Sequence, residues 1–215
     1  MRELNQLLLD FDVKTNFNEH DYYVSASNYF AFNLIDKWPK WEKKILNISG
    51  EKFSGKTHLA NIFKFKSSAL FLKENQINDD VFKKIKLHES IIIDEFSNII
   101  DEKLTYSILN LVDHDSKYLL INSEIPIGEI NFNLPDLVSR SKNLLHAKID
   151  PPDDDLIFAI ILKNFSDRQI RLEKKIIEFV INRIDRSYRK ISEFIYKIDE
   201  LSLKKKKPIN LKTIK

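Results

Sequence analysis

Two of the chain's three glycines stand five positions apart in Gly50-Glu51-Lys52-Phe53-Ser54-Gly55-Lys56-Thr57, directly behind the apolar run Ile45-Leu46-Asn47-Ile48-Ser49. In a sequence this poor in glycine, that placement dictates a local shape: a strand, a tight loop, and a helix opening at the loop's end. The glycines let the backbone turn so that its N–H groups face phosphate oxygens. Lys56 brings a cation to those oxygens, and the Thr57 hydroxyl is a ligand for Mg²⁺. Behind the loop, Thr57-His58-Leu59-Ala60-Asn61-Ile62-Phe63 is apolar at helical spacing, the context such a loop requires. The segment predicts a site for ATP or ADP built on Gly50, Ser54, Gly55, Lys56 and Thr57.

A second half of the same site follows about forty residues later in Ser90-Ile91-Ile92-Ile93-Asp94-Glu95, an apolar strand ending in two carboxylates. In open α/β sheets ligands bind at the carboxyl ends of the strands. Asp94 is expected to hold Mg²⁺ together with Thr57, and Glu95 to orient an attacking water.

Between and beyond these segments, Ala69–Leu72, Tyr118–Asn122 and Leu144–Ile149 read as further strands, continuous rather than alternating in hydrophobicity, as parallel strands buried on both faces are. Leu104, Ile108, Leu111 and Val112 mark one face of a helix. Strand and helix alternate, which predicts an α/β fold with a parallel sheet. Pro151-Pro152 ends the alternation, and three helical segments follow: about Asp153–Asn164, Leu172–Ile184 and Ser187–Leu203, with Asp153 and Ser187 as N-caps. The expected organisation is an N-terminal peptide over 1–14, an α/β nucleotide-binding domain over 15–150 and a small all-helical lid domain over 151–215.

Composition removes several function classes. The absence of cysteine excludes disulfides, zinc-thiolate sites and thiol catalysis. A net charge of +3 is too slight to argue for nucleic acid as a direct partner, and Lys204–Lys207 reads first as a solvated helix end. No apolar run approaches the ~18 residues that span a bilayer, and Glu3, Asp10 and Asp12 stand where a signal peptide would be basic and then apolar, so a cytoplasmic protein without membrane contact is expected. His20, His58, His88, His114 and His146 show no ligand or triad spacing.

The motifs together resemble the AAA+ ATPases of the DnaA class. Gly55-Lys56-Thr57-His58-Leu59-Ala60 is similar to that class's phosphate loop and first helical turn, which adds His58 to the nucleotide site. Leu134-Pro135-Asp136-Leu137-Val138-Ser139-Arg140 resembles its arginine-finger signature, and Arg186-Ser187-Tyr188-Arg189-Lys190-Ile191 the start of the lid helix that carries a second sensor arginine. The resemblance implies that Arg140 acts in trans on a neighbour's nucleotide, within a homo-oligomer or on DnaA, and that Arg189 meets phosphate. For Arg140 the plain alternative is an ion pair with Asp136 four residues earlier. For Arg189, the first turn of a helix is electrostatically unfavourable to a cation, which a phosphate would explain. Either Asn122 or Glu124 takes the place of the first sensor. Tyr22, Tyr23 and Asn28 lie where the class builds its adenine pocket.

Within the class, the two ends resemble the Hda-like regulatory inactivators of DnaA. Gln6-Leu7-Leu8-Leu9-Asp10-Phe11 is similar to the peptide by which replication proteins bind the sliding clamp, with Gln6, Leu7, Leu9 and Phe11 as anchors filling a preformed groove. Leu203–Ile209 resembles the basic run near the end of those chains. The resemblance implies an adenine-nucleotide-binding regulator, a weak ATPase at most, that docks on the clamp and promotes hydrolysis of DnaA-bound ATP, touching DNA only through the loaded clamp. Two rival readings share the nucleotide motifs: a helicase loader, which lacks the clamp peptide, and a DnaA-like initiator without its helix-turn-helix domain.

Overall fold

The computed structural model describes residues 21–205 except 79, 98 and 169–171, with backbone alone at 202–205. The clamp-peptide residues Gln6, Leu7, Leu9 and Phe11 lie outside the described residues, as do His20 and most of the terminal basic run.

Five strands, β1 (Ile45–Ser49), β2 (Leu70–Lys73), β3 (Ser90–Phe96), β4 (Tyr118–Ser123) and β5 (Leu145–Lys148), form one parallel sheet in the order β2-β3-β4-β1-β5. α1 (Tyr29–Asp36) precedes β1, and α2 (Lys56–Ser67), α3 (Val81–Lys86), α4 (Glu102–His114) and α5 (Pro135–Ser141) connect the strands in turn. The sheet is covered on both faces. Leu46, Ile48, Ile92 and Leu120 meet α1 and α2 in one core, and Ile91, Ile93, Leu119 and Ile121 meet α3, α4 and α5 in another. This double burial is why β3 carries the unbroken apolar run Ile91-Ile92-Ile93 and why β1 is buried along its whole length, Asn47 and Ser49 included. On α4 the fully buried stripe is Thr105, Ile108, Leu109 and Val112, while Leu104 and Leu111 pack at its margin.

After Pro152 come α6 (Asp154–Asp167), α7 (Lys174–Ile181) and α8 (Tyr188–Lys205). Ile157, Ile161, Phe165, Ile177, Val180, Ile191, Ile195 and Ile198 give them a separate apolar core. Asp153 caps α6 by accepting from the Leu156 amide at 2.8 Å, and Ser187 caps α8 by accepting from the Lys190 amide at 3.3 Å. Leu156 and Tyr188 reach back into the sheet's core, so the first turns of α6 and α8 are seated on the α/β body. The architecture is thus an α/β parallel-sheet domain followed by a small helical lid. Among the described residues, no helix is long and apolar enough to cross a membrane.

Candidate functional site

The strand order brings together what the sequence separates. β4 lies between β1 and β3, so the loop after β1, the carboxylates at the end of β3 and Asn122 of β4 emerge side by side at the carboxyl edge. Ile48 and Ser49 are in register with Asn122 and Ser123, and Ile93 with Ile121. Buried Asn47 locks this corner: its amide donates to the Ile121 carbonyl and Ser123 Oγ, and its Oδ1 accepts from the Ile127 N–H.

The loop from Gly50 to Thr57 depends on its glycines in two ways. Gly55 has φ +91°, the left-handed region that favours glycine, and a Cβ there would lie 3.1 Å from the Tyr22 ring. A Cβ on Gly50 would lie 3.1 Å from both Ile149 Cβ and Ser54 Oγ. Lys56 folds over the loop and donates to the carbonyls of Gly50 at 2.6 Å and Glu51 at 2.8 Å. Burial pulls its ammonium below the usual lysine value, and Glu124, Asp94, Glu51 and Glu95 oppose that pull. Lys56 is therefore a poorly solvated cation surrounded by carboxylates, held by carbonyls that a phosphate oxygen can replace.

Asp94 is the hub of the sheet edge. Its Oδ2 accepts from Thr57 Oγ1 at 2.9 Å and its Oδ1 from Asn122 Nδ2 at 2.7 Å. β3 does not end at the carboxylate pair: it continues to Phe96 through a bulge, one extra residue between the Ile93–Ile121 and Phe96–Ser123 pairings. Glu95 occupies that bulge with φ +60°, and the left-handed turn throws its carboxylate out into the cleft while Asp94 stays buried.

An open cleft of about 1200 Å³ runs from this edge to α6 and α8. Ser54, Gly55, Lys56, Thr57, His58, Asp94, Glu95 and Tyr23 line it, and Gly50 stands behind the loop. Tyr23 is half-exposed, whereas Tyr22 is partly buried against the core, stacked on Phe32 and edge-on to His58. Asn28 closes a turn, donating to the Tyr23 carbonyl and accepting from the Ser25 N–H. Arg189 is not among the residues that line the cleft; its guanidinium lies 4.0 Å from the carboxylate of Glu124, which does. Of the two sensor candidates, Asn122 is bonded to Asp94 and Glu124 lines the cleft mouth.

The unfavourable position of Arg189 has an explanation the sequence did not offer. The Glu51 carboxylate accepts from Ser187 Oγ at 2.6 Å and from the N–H groups of Tyr188 at 2.8 Å and Arg189 at 3.4 Å, placing a negative charge at the start of α8. No local pattern could reveal a cap supplied from so far away in the chain.

Arg140 does not line the cleft. The alternative of a local pair with Asp136 does not form: the guanidinium pairs with Asp113 of α4 at 2.7 Å and lies over the Tyr106 ring. The turn before α5 is set by Glu102, whose carboxylate accepts from the Asn133 and Leu134 amides, and those bonds hold its pKa below the usual glutamate value.

The site fits a nucleotide with Mg²⁺ by its own chemistry. Of the four buried side-chain polar atoms without a partner among the described residues, two belong to this corner, the Tyr22 hydroxyl and Asn122 Oδ1, the others being Trp38 Nε1 and Ser90 Oγ. Among those residues no cluster of three or more acidic or histidine side chains can hold a metal alone. A cation at Thr57 and Asp94 thus needs further oxygens, which phosphate provides.

No family model matches the chain. It is 25% identical, in an alignment of 214 positions that covers 86% of this chain, to the chromosomal replication initiator protein DnaA of Borreliella afzelii, of which the match covers 44%. It spans about half the length of the curated DnaA relatives it matches, between 42% and 52%. Among solved structures, domain III of the Thermotoga maritima DnaA superposes with a TM-score of 0.73 at 20% identity, covering 92% of this chain and 93% of that one. AMPPCP-bound DnaA from Aquifex aeolicus gives 0.67 at 16%, over 91% of this chain and 70% of that one. By sequence the chain is related to DnaA at about 25% identity, and its fold is that of the AAA+ domain of DnaA.

Proposed function

We propose that the chain binds an adenine nucleotide with Mg²⁺ in the cleft and regulates the initiation of DNA replication by acting on DnaA. The observation that carries the reading is the convergence of Lys56, Thr57 and Asp94 at the carboxyl edge of the sheet in a DnaA-like fold. The AMPPCP bound in two solved DnaA structures of this fold supports it.

In this proposal Lys56 leaves the Gly50 and Glu51 carbonyls to meet the β-phosphate, and the N–H groups of the loop and of α2 face the remaining oxygens. Thr57 and Asp94 hold Mg²⁺, which neutralises phosphate charge. Asn122 keeps Asp94 oriented, Glu95 orients water, Arg189 closes on phosphate from the lid and Tyr23 flanks the base. Gln6, Leu7, Leu9 and Phe11 dock on the sliding clamp, and Arg140 serves the nucleotide of a neighbouring DnaA. In that contact Asp113 gives up the guanidinium, an exposed pair worth ~1 kcal/mol or less.

The test is the fraction of DnaA-bound ATP converted to ADP on clamp-loaded DNA, with parent, Arg140→Ala, a variant lacking residues 1–12, and no added protein. Conversion is expected with the parent and neither variant. A parent no better than the blank overturns the regulatory reading. A truncated variant as active as the parent removes the clamp from it, and an active Arg140→Ala removes the finger.

A further inference from the structure

We infer that Glu51 is a positioning residue that couples the phosphate loop to the lid: its carboxylate holds the first turn of α8, and with it Arg189, to the loop that receives the nucleotide. The inference rests on the nucleotide reading above for what the coupling transmits, and on geometry alone for the latch itself.

Glu51 is engaged at both ends. Its backbone carbonyl accepts from Lys56 Nζ, while its side chain accepts three hydrogen bonds from Ser187, Tyr188 and Arg189. α8 does not need this carboxylate for a local cap, because Ser187 already accepts from the Lys190 amide. Ser187 Oγ instead passes its own proton to Glu51, so the local cap and the distant carboxylate form one chain of bonds.

Other contacts seat the lid on its flanking segments. Tyr188 donates its hydroxyl proton to the Asp150 carbonyl at 3.1 Å, Arg186 pairs with Asp154 at 2.6 Å, and Ser27 bonds the Pro151 carbonyl and Asp153. The Tyr188 and Ser27 bonds tie the lid to the chain around residues 150–153, and the Arg186–Asp154 pair lies within the lid itself. Glu51 ties α8 to the loop instead, and a charge-assisted acceptor at a helix N-terminus is the strong form of such a bond.

Phosphate binding disturbs this arrangement at one identifiable point. Lys56 must release the carbonyls of Gly50 and Glu51, the two peptides that begin the loop. Once released, the Glu51 peptide is free to reorient, and its side chain carries Ser187, Tyr188 and Arg189 with it. Arg189 thereby learns of phosphate through the loop, before its guanidinium touches any ligand.

Amide hydrogen exchange followed residue by residue by NMR tests this, on parent, Glu51→Gln and Glu51→Ala, each with and without saturating ADP. Without nucleotide, Glu51→Ala is expected to speed exchange at Tyr188 and Arg189 about ten-fold, the loss of roughly one net hydrogen bond, and Glu51→Gln less because one acceptor oxygen remains. Exchange at these amides equal to the parent overturns the latch. With ADP, the parent is expected to change at residues 50–57 and at 187–190 together, and Glu51→Ala at 50–57 alone; a helix cap without coupling would leave the ADP response of 187–190 intact. An α8 response of equal size in both proteins overturns the coupling. If ADP leaves residues 50–57 of the parent unchanged, the nucleotide reading fails and the coupling with it, while the nucleotide-free comparison still decides the latch. Should Glu51→Ala not fold, Glu51→Gln carries the same comparison at smaller amplitude.

Discussion

The two walls of the cleft are built on opposite plans. On the sheet-edge wall, Lys56, Thr57, Asp94 and Asn122 bond to one another or to the loop backbone, and Asp94 and Asn122 are only 2% and 0% exposed. On the lid wall, Arg189 meets its acid at 4.0 Å and Tyr196 stands 70% exposed. The first wall is preorganised before any ligand arrives; the second is a surface that must adjust. Substitutions of the buried members of the sheet edge, Asp94 and Asn122, should therefore damage folding and binding together, and those on the lid should cost binding alone.

The comparison breaks most sharply at Asp94. Asp94→Ala leaves the Thr57 hydroxyl and the Asn122 amide without their acceptor, each a loss of about 1–3 kcal/mol where the group is buried. Unfolding in urea should show a loss of about 3 kcal/mol, and ADP binding should lose its dependence on Mg²⁺. A variant as stable as the parent would mean that the sheet edge is not the rigid wall.

Lys56→Ala separates the two properties on the same wall. Its partners are loop carbonyls that water can serve, so stability should change little. Losing the charge facing the phosphates should weaken ADP binding about 30-fold, ~2 kcal/mol, by calorimetry. Equal affinity in mutant and parent would remove the loop from the site. Arg189→Ala should cost less, about five-fold or ~1 kcal/mol, because its guanidinium is half-exposed and screened. A loss as large as that of Lys56→Ala would make the lid wall as preorganised as the sheet edge.

What the sequence made legible follows the same division. The strand–loop–helix unit around Gly50–Thr57, the buried strands and the N-caps Asp153 and Ser187 were readable because each is written in contiguous residues with a local physical cause. The bulge at Glu95 was not, since it arises from the pairing of β3 with β4 and from no residue of β3 alone. Asp113 as the partner of Arg140 was hidden for a similar reason. Two helices, α4 and α5, had to be placed side by side before a pair across them could compete with the one along α5. Glu51 was hidden most deeply, being a loop residue whose side chain serves the lid. Contacts between the walls are long-range by construction, and hydrophobic periodicity carries no record of them.

Phe53 gives the comparison its finest test, because it is the one bulky residue of the phosphate loop held in a conformation that suits glycine. Its φ is +71°, and its ring stands 57% exposed at the cleft, with the Lys52 ammonium 5.6 Å from the ring centroid. Holding a residue with a Cβ there costs about 1–2 kcal/mol. Phe53→Gly removes that cost, but the freer unfolded chain takes back about 0.5–1 kcal/mol, and the ring gives up little buried area. The expected result is a gain of stability below ~1 kcal/mol, read as a small upward shift of the urea midpoint with an unchanged slope. ADP affinity should stay within about two-fold of the parent, since the loop amides keep their positions. A loss of more than ~1 kcal/mol would show that the ring is packed rather than strained, and that the loop's rigidity comes from side-chain contacts as well as from its glycines and the bonds of Lys56.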